Sequence, residues 1–191
     1  MGYKIDPNYP HLGGNICGGD KRTFYPPLWK WLIDTLNVKT ALDVGCGTGE
    51  ALREIGKHCT VMGIDGLPDN VFACNGLALA WDLTGVNKLH MRPVDLVWCC
   101  ELVEHVEEQY VDNVIAALSH GDWIAMTAAK PGQGGWHHVN EQPAEYWKEK
   151  LSQEYNFRPD LTQESMKYGH SYWKDSGMIF EKKIKKSKEI T

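Results

Sequence analysis

Several features that would direct a reading are missing from this chain of 191 residues. Its six cysteines, Cys17, Cys46, Cys59, Cys74, Cys99 and Cys100, include no C-x-x-C pair, so cysteine-based metal-ligand spacing is absent. No stretch approaches the roughly 18 consecutive apolar residues of a membrane span. Met1–Pro10 is polar and broken by proline, unlike a targeting segment. There is no basic excess: the formal charge is −5, which argues against broad, non-specific binding to nucleic acid. The one visible basic patch, Lys182, Lys183, Lys185, Lys186 and Lys188, reads as a solvated, frayed end. No repeat or low-complexity linker divides the chain. The expectation is a single-domain protein without a membrane partner, its cysteines free in a reducing, cytoplasmic compartment.

What is present is an ordinary globular composition, 42% hydrophobic and 24% charged, with length enough for a sizeable core. Eight tryptophans are many for this length, and are expected in the core and along a cleft. Pro27–Leu36 has helical spacing of Leu28, Trp31, Leu32 and Thr35. Strands are expected at Thr40–Val44, Val61–Asp65, Leu77–Asp82, Asp95–Cys99 and Trp123–Ala128. Between them fall helical segments at Glu50–His58, Pro68–Cys74 and Val106–Ser119, and a loop through Gly85–Arg92. A helix after Pro143 should reach about Tyr155, and Gly177–Glu181 reads as a final strand. Apolar strands without strict alternation are buried on both faces, and their alternation with helices argues for a parallel, doubly wound α/β sheet.

The central motif is Asp43-Val44-Gly45-Cys46-Gly47-Thr48-Gly49-Glu50, a strand running through a glycine turn into a helix. Glycines there allow a sharp turn and close approach of a ligand, and in open parallel sheets the crevice above the strand ends is the binding site. A dinucleotide fingerprint requires G-x-G-x-x-G, whereas the spacing here is G-x-G-x-G with Glu50 next in line. That carboxylate, and Asp43 before the turn, oppose a pyrophosphate but tolerate the ammonium and sulfonium of S-adenosylmethionine. No G-K-[ST] follows, which excludes a P-loop. Asp65, followed by Gly66, ends the second strand 22 residues after Asp43, where it can accept from two ribose hydroxyls. Asp82 ends the third strand and can accept from an adenine amino group, with Leu83 against the ring. The fourth strand ends at another acid, Glu101, a further candidate for contact with the cofactor.

Asp43–Gly49 resembles motif I of class I methyltransferases; Asp65 matches the acidic ribose position and Asp82 the adenine position of that family. Glu101-Leu102-Val103-Glu104-His105-Val106 is similar to the segment after motif IV in small methyltransferases of the ubiquinone/menaquinone-biosynthesis type. His137–Trp147, H-H-V-N-x-Q-P-x-x-Y-W, resembles minimal bacterial and phage-encoded members. The resemblance covers about residues 38–132. It implies a Rossmann-like, mostly parallel seven-stranded sheet with an antiparallel last strand, formed by a hairpin around Phe157–Glu181, and S-adenosylmethionine as cofactor. Cys46, Gly45, Gly47 and Gly49 would border that cofactor. Residues 1–26 then read as a lead-in covering it, with Lys21, Thr23 or Tyr25 bonding the methionine carboxylate. Residues 27–182 form the methyltransferase domain, and residues 183–191 a basic, disordered tail.

The acceptor is expected beside Ala129–Pro143, where glycines flank Trp136, His137 and His138. Methyl transfer is an in-line displacement that needs an oriented acceptor and, for hydroxyls or protonated amines, removal of a proton. His137, His138 and His105 are the candidates for that base. Glu104 reads as a helix-start acid or a partner for the loop. A metal on His137, His138 and Glu141 is conceivable by residue type, but adjacent histidines rarely share one ion, so no metal is expected. The absence of D/N-P-P-Y/F after the fourth strand and of a Pro-Cys context weighs against nucleobase amino and cytosine C5 methylation. The expected acceptor is therefore an oxygen or nitrogen of a small molecule or of an exposed sugar or terminal group. Three alternatives stand beside it: a protein that binds the cofactor without transfer, a nicotinamide oxidoreductase, and a nucleic-acid methyltransferase. Sequence leaves the oligomeric state open.

Overall fold

The computed structural model describes residues 5–13, 20–86 and 89–184. Their seven strands are β1 (Thr40–Val44), β2 (Thr60–Asp65), β3 (Ala78–Ala80), β4 (Val94–Cys99), β5 (Gly121–Met126), β6 (Tyr155–Phe157) and β7 (Met178–Lys182). They form one sheet in the order β3-β2-β1-β4-β5-β7-β6. β1 to β5 pair in parallel, and β7 runs antiparallel to both of its neighbours. The order reverses between β1 and β4, the topological switch point above which such sheets bind ligands. Asp43 lies there, in register with Gly63 on one side and Trp98 on the other.

Side chains alternate across each strand, and both faces are covered. On one face Leu42, Val44, Val97, Cys99, Ile124 and Met126 join α4 (Val111–Leu118) and Trp147 of α5 (Ala144–Leu151). On the other, Ala41, Leu96, Trp98, Ala125 and Ile179 meet α1 (Pro26–Leu36). Pro26 and Pro27 start α1 with no lost hydrogen bond, and Asn37, at φ 54°, ends it with its N–H on Ile33 O. α1 buries Leu28, Trp29, Leu32 and Ile33. Its apolar face is turned from the expected one, and Trp31 instead stacks on Tyr168 at 5.4 Å. Trp98 is the centre of the second core, edge-on to Trp29 at 5.8 Å and stacked on Trp173 at 5.2 Å.

The expected helix from Val106 begins only at Val111. Before it lie two 3₁₀ turns, Val103–His105 and Glu108–Tyr110. The carbonyl of Glu104 accepts from Val139 and Asn140 N–H, so it is not available to a helix, and Val106 is extended. α2 (Glu50–Ile55) and α3 (Pro68–Ala73) are short, and α5 stops at Leu151 because Tyr155 opens β6. β6 and β7 are not a hairpin: α6 (Pro159–Ser165) and α7 (Ser171–Ser176) lie between them. The lysines beyond 184 lie outside the described residues. None of the described helices is long and apolar enough to cross a membrane.

Candidate cofactor cleft and acceptor site

The turn after β1 holds Gly45, Gly47 and Gly49 at φ 79°, 52° and 82°, a region that L side chains avoid. The N–H groups of Gly45 and Cys46 both donate to Ile64 O, at 2.9 and 3.0 Å, tying the turn to the end of β2. A Cβ on Gly45 would lie 2.8 Å from Leu102 Cδ1, whereas around Gly47 the space is open to 4 Å. The crest of the turn therefore admits a ligand at backbone distance. Gly49 serves differently, as the left-handed cap of α2, and is not among the residues lining the cleft.

Asp65 is the hinge of this end. Its Oδ2 accepts from Gly47 N–H at 2.9 Å, and Oδ1 from Leu67 N–H at 2.9 Å and Asn70 Nδ2 at 3.0 Å. A carboxylate has about four acceptor positions, so one remains open to a donor from a ligand. Burial raises its pKa against these donors. Asp43 is 3% exposed, and burial, then the Asp65 charge, pushes its pKa to about 8. Asp20, Asp43, Glu50, Asp65 and Glu101 all border the cleft, and no Lys or Arg is among the described residues that do. Such a wall favours a ligand with cationic centres and disfavours a diphosphate. Leu67, Trp81, Leu83 and Val106 supply apolar surface to the cleft. The residues present fit S-adenosylmethionine.

Glu101, at φ 52°, begins the other end. Its N–H donates to Thr127 Oγ1 at 2.8 Å, and that hydroxyl donates back to Oε1 at 2.9 Å, which holds the carboxylate at the cleft. Beyond it, His105 Nδ1 meets the His137 carbonyl oxygen at 3.0 Å. The carbonyl only accepts, so Nδ1 carries the hydrogen and Nε2 is the free acceptor. Burial holds the His105 pKa down at about 4, so the ring is uncharged near neutrality. His138 Nδ1 meets Glu141 Oε1 at 2.9 Å, and Glu141 also accepts from Gly132 and Gly134 N–H. The two imidazoles meet edge to face, 5.1 Å apart. Tyr172 and Trp136 complete this end of the cleft.

Most expected site residues converge here: Asp43, Gly45, Cys46, Gly47, Asp65, Gly66, Leu83, Glu101, Thr23, His105 and His138 all line the cleft. Tyr25 does not. It is fully buried in the second core, edge-on to Trp29 and Trp98, because Pro26 and Pro27 start α1 beside it and turn its ring inward. His137, at φ 57°, packs against Gly13 and is not among the residues lining the cleft, which it reaches only through its carbonyl bond to His105. Asp82 is turned aside, with Oδ1 on Thr84 N–H and hydroxyl at 2.8 and 2.7 Å and Oδ2 on His11 at 2.9 Å. Sequence reasoning missed Asn70 and Thr127, whose partners lie 5 and 26 residues away. Glu104 stands in the first turn of the 3₁₀ helix Val103–His105 and its carbonyl accepts from Val139 and Asn140 N–H of the loop, while the full burial of its side chain was not foreseen. The E-x-x-E-H spacing was the available signal for that residue.

Residues 41–121 match the family described as Methyltransferase domain. That match supports the resemblance to class I, S-adenosylmethionine-dependent methyltransferases over those residues. No curated protein matches it in sequence. Among solved structures it is similar to magnesium protoporphyrin IX methyltransferase of Synechocystis with bound S-adenosylmethionine, at 14% identity and TM-score 0.57, over 81% of this chain and 75% of that one. A TehB-like S-adenosylmethionine-dependent methyltransferase from Corynebacterium glutamicum matches at 19% identity and TM-score 0.57, over 87% and 91%. A sugar N-methyltransferase from Streptoalloteichus matches at 12% identity and TM-score 0.65, over 91% and 98%. At these identities the likeness is one of fold, a mostly parallel sheet of the kind formed by the seven strands here.

Proposed function

We propose that this methyltransferase acts on an oxygen or nitrogen of a small molecule, or of an exposed sugar or terminal group. The observation that carries the reading is the pair of oriented imidazoles, His105 and His138, facing the cleft beyond Glu101. S-adenosylmethionine supplies a methyl carbon already activated by its sulfonium, so the chain's own task is to orient the acceptor and take up its hydrogen. Asp65 and the Gly47 turn hold the ribose side, and the acids along the cleft balance the cofactor's cationic centres. Trp136 and Tyr172 wall the acceptor, and an Nε2 lone pair accepts from its hydroxyl or amine. A cleft bordered by acids disfavours a polyphosphate backbone, which supports a small acceptor over nucleic acid. We also infer a cytoplasmic setting, supported by the free thiols of Cys46, Cys59, Cys74, Cys99 and Cys100.

The test is formation of S-adenosylhomocysteine from S-adenosylmethionine with a panel of amino sugars, hydroxylated sugars, phenols and peptide amines, against duplex and single-stranded nucleic acids. Turnover with one of the small acceptors, reduced at least tenfold in His138→Ala, is the expected result. Turnover confined to nucleic acid would replace the reading.

A further inference from the structure

We propose that Glu104, His105 and His138 bind one divalent transition-metal ion at the acceptor end of the cleft. The inference deepens the function just proposed and rests on it for where the acceptor lies. One donor atom from each of the three residues can be chosen so that all lie within 4.8 Å of one another, within reach of a single ion after small side-chain adjustments, given metal–ligand distances of roughly 2.0–2.2 Å. Three independent features favour a ligand set over a chance meeting.

The first is Glu104 itself. It is 0% exposed, and neither Oε1 nor Oε2 has a hydrogen-bond partner. A carboxylate taken out of water without donors or a counter-charge is costly. Glu101 is a second acid at this end of the cleft. Among the described residues no ion pair reaches either acid. A divalent cation would compensate both.

The second is the orientation of the rings. Metal-bound histidines donate their other N–H to a carbonyl or carboxylate, which fixes tautomer and direction. His105 gives Nδ1–H to the His137 carbonyl and His138 points Nδ1 at Glu141, leaving Nε2 of each for the ion. Residue type alone points to His137, His138 and Glu141; in the fold, His137 turns to Gly13 and Glu141 becomes the partner that aims His138. The third is access. His105 and His138 line the cleft, so a bound ion would keep an open position, as catalytic sites do. Two imidazoles with one carboxylate suit Mn²⁺, Fe²⁺ or Zn²⁺ over Mg²⁺.

With the ion bound, both Nε2 atoms are ligands, and the acceptor's hydroxyl reaches the metal instead of a ring. Coordination lowers the pKa of the hydroxyl. Its O–H bond breaks with the proton passing to water, the oxygen lone pair forms the O–CH₃ bond, and the S–CH₃ bond breaks with its electron pair retained on sulfur.

The experiment uses the full chain, stripped with a chelator and dialysed. Binding of Mn²⁺ is followed by loss of the free-ion paramagnetic resonance signal, and binding of Zn²⁺ by calorimetry. Affinity for S-adenosylhomocysteine is measured on the same samples as the check on folding. Expected is one ion per chain, with affinity at least tenfold lower in both Glu104→Gln and His138→Ala, and cofactor affinity changed less than threefold. No saturable metal binding, or binding unchanged in both variants, would overturn the site while leaving the cofactor and the direct imidazole reading intact. Metal binding without transfer to any acceptor in the panel would support the site and count against the acceptor assigned above.

Discussion

Asp65 does two jobs at once, and they separate by substitution. It closes the glycine turn through Gly47 N–H and the start of α3 through Leu67 N–H and Asn70, and we propose that its remaining acceptor position takes a ribose hydroxyl. Asp65→Ala removes the charge-assisted bonds and should weaken S-adenosylhomocysteine binding by about 1–3 kcal/mol. Asp65→Asn retains one acceptor oxygen and should cost less. Equal affinities for all three proteins, measured by calorimetry, would remove Asp65 from the ribose site. Asp43 gives a pH dependence whose sign can be worked out. Its pKa is about 8 in the folded chain against 3.8 for a free aspartate, so between those values the folded state holds a proton that the unfolded state has lost. Stability of the ligand-free protein therefore falls as pH rises through that window. A cationic ligand prefers the ionised acid, so cofactor affinity should rise from pH 6 to 8 with release of a proton. Asp43→Asn should flatten the profile; an unchanged slope in that variant would assign the titration elsewhere.

At the scale of elements, the first half of the chain was largely legible and the second half was not, for a physical reason. β1, β2, β4 and α1 are specified by local signals: an apolar run, a glycine turn, a proline pair at a helix start. Their ends fall within one residue of the expected ones. The segment after Glu101 depends on contacts more than 30 residues away, such as Val139 and Asn140 N–H on Glu104 O, so a helix expected from Val106 begins five residues late. β6 is only three residues long, and the helices after it are fixed by one tryptophan. Trp173 stacks on Trp98, and its Nε1–H donates to Ser165 Oγ at 2.9 Å, which donates to Thr162 O. Thr162 Oγ1 in turn accepts from Ile179 N–H of β7. Trp173→Ala should therefore cost about 3–5 kcal/mol and loosen α6, α7 and β7 together. Urea unfolding gives the magnitude and amide exchange the extent; a loss under 1 kcal/mol would show that the α6–α7 segment is held by other contacts.

Over the whole molecule, the cleft is bordered by the sheet on one side and by the lead-in on the other. The turn and the strand-end acids announce the cofactor side in sequence because ligand and fold impose one spacing on neighbouring residues. Asp82 and Tyr25 escaped that logic, since a side chain's direction depends on what packs beside it: His11 draws Asp82 aside, and the second core takes Tyr25. His11 belongs to a segment that touches both ends of the cleft. Leu12 lies over Gly66, where a Cβ would stand 2.7 Å from its Cδ1, and Gly13 packs on His137. None of the described residues 5–13 is buried, so the segment contributes little to the core, yet Leu12 and Gly13 line the cleft. We therefore propose that residues 5–13 act as a cover whose free energy is spent on ligand retention. Deleting residues 1–13 should leave ligand-free stability within about 0.5 kcal/mol, as for changes away from the core, while S-adenosylhomocysteine dissociates at least tenfold faster. Stopped-flow dissociation and thermal melting of the same two proteins separate the effects. A large fall in the melting temperature with an unchanged off-rate would make the lead-in a structural strap and leave retention of the cofactor to Asp65 and the glycine turn.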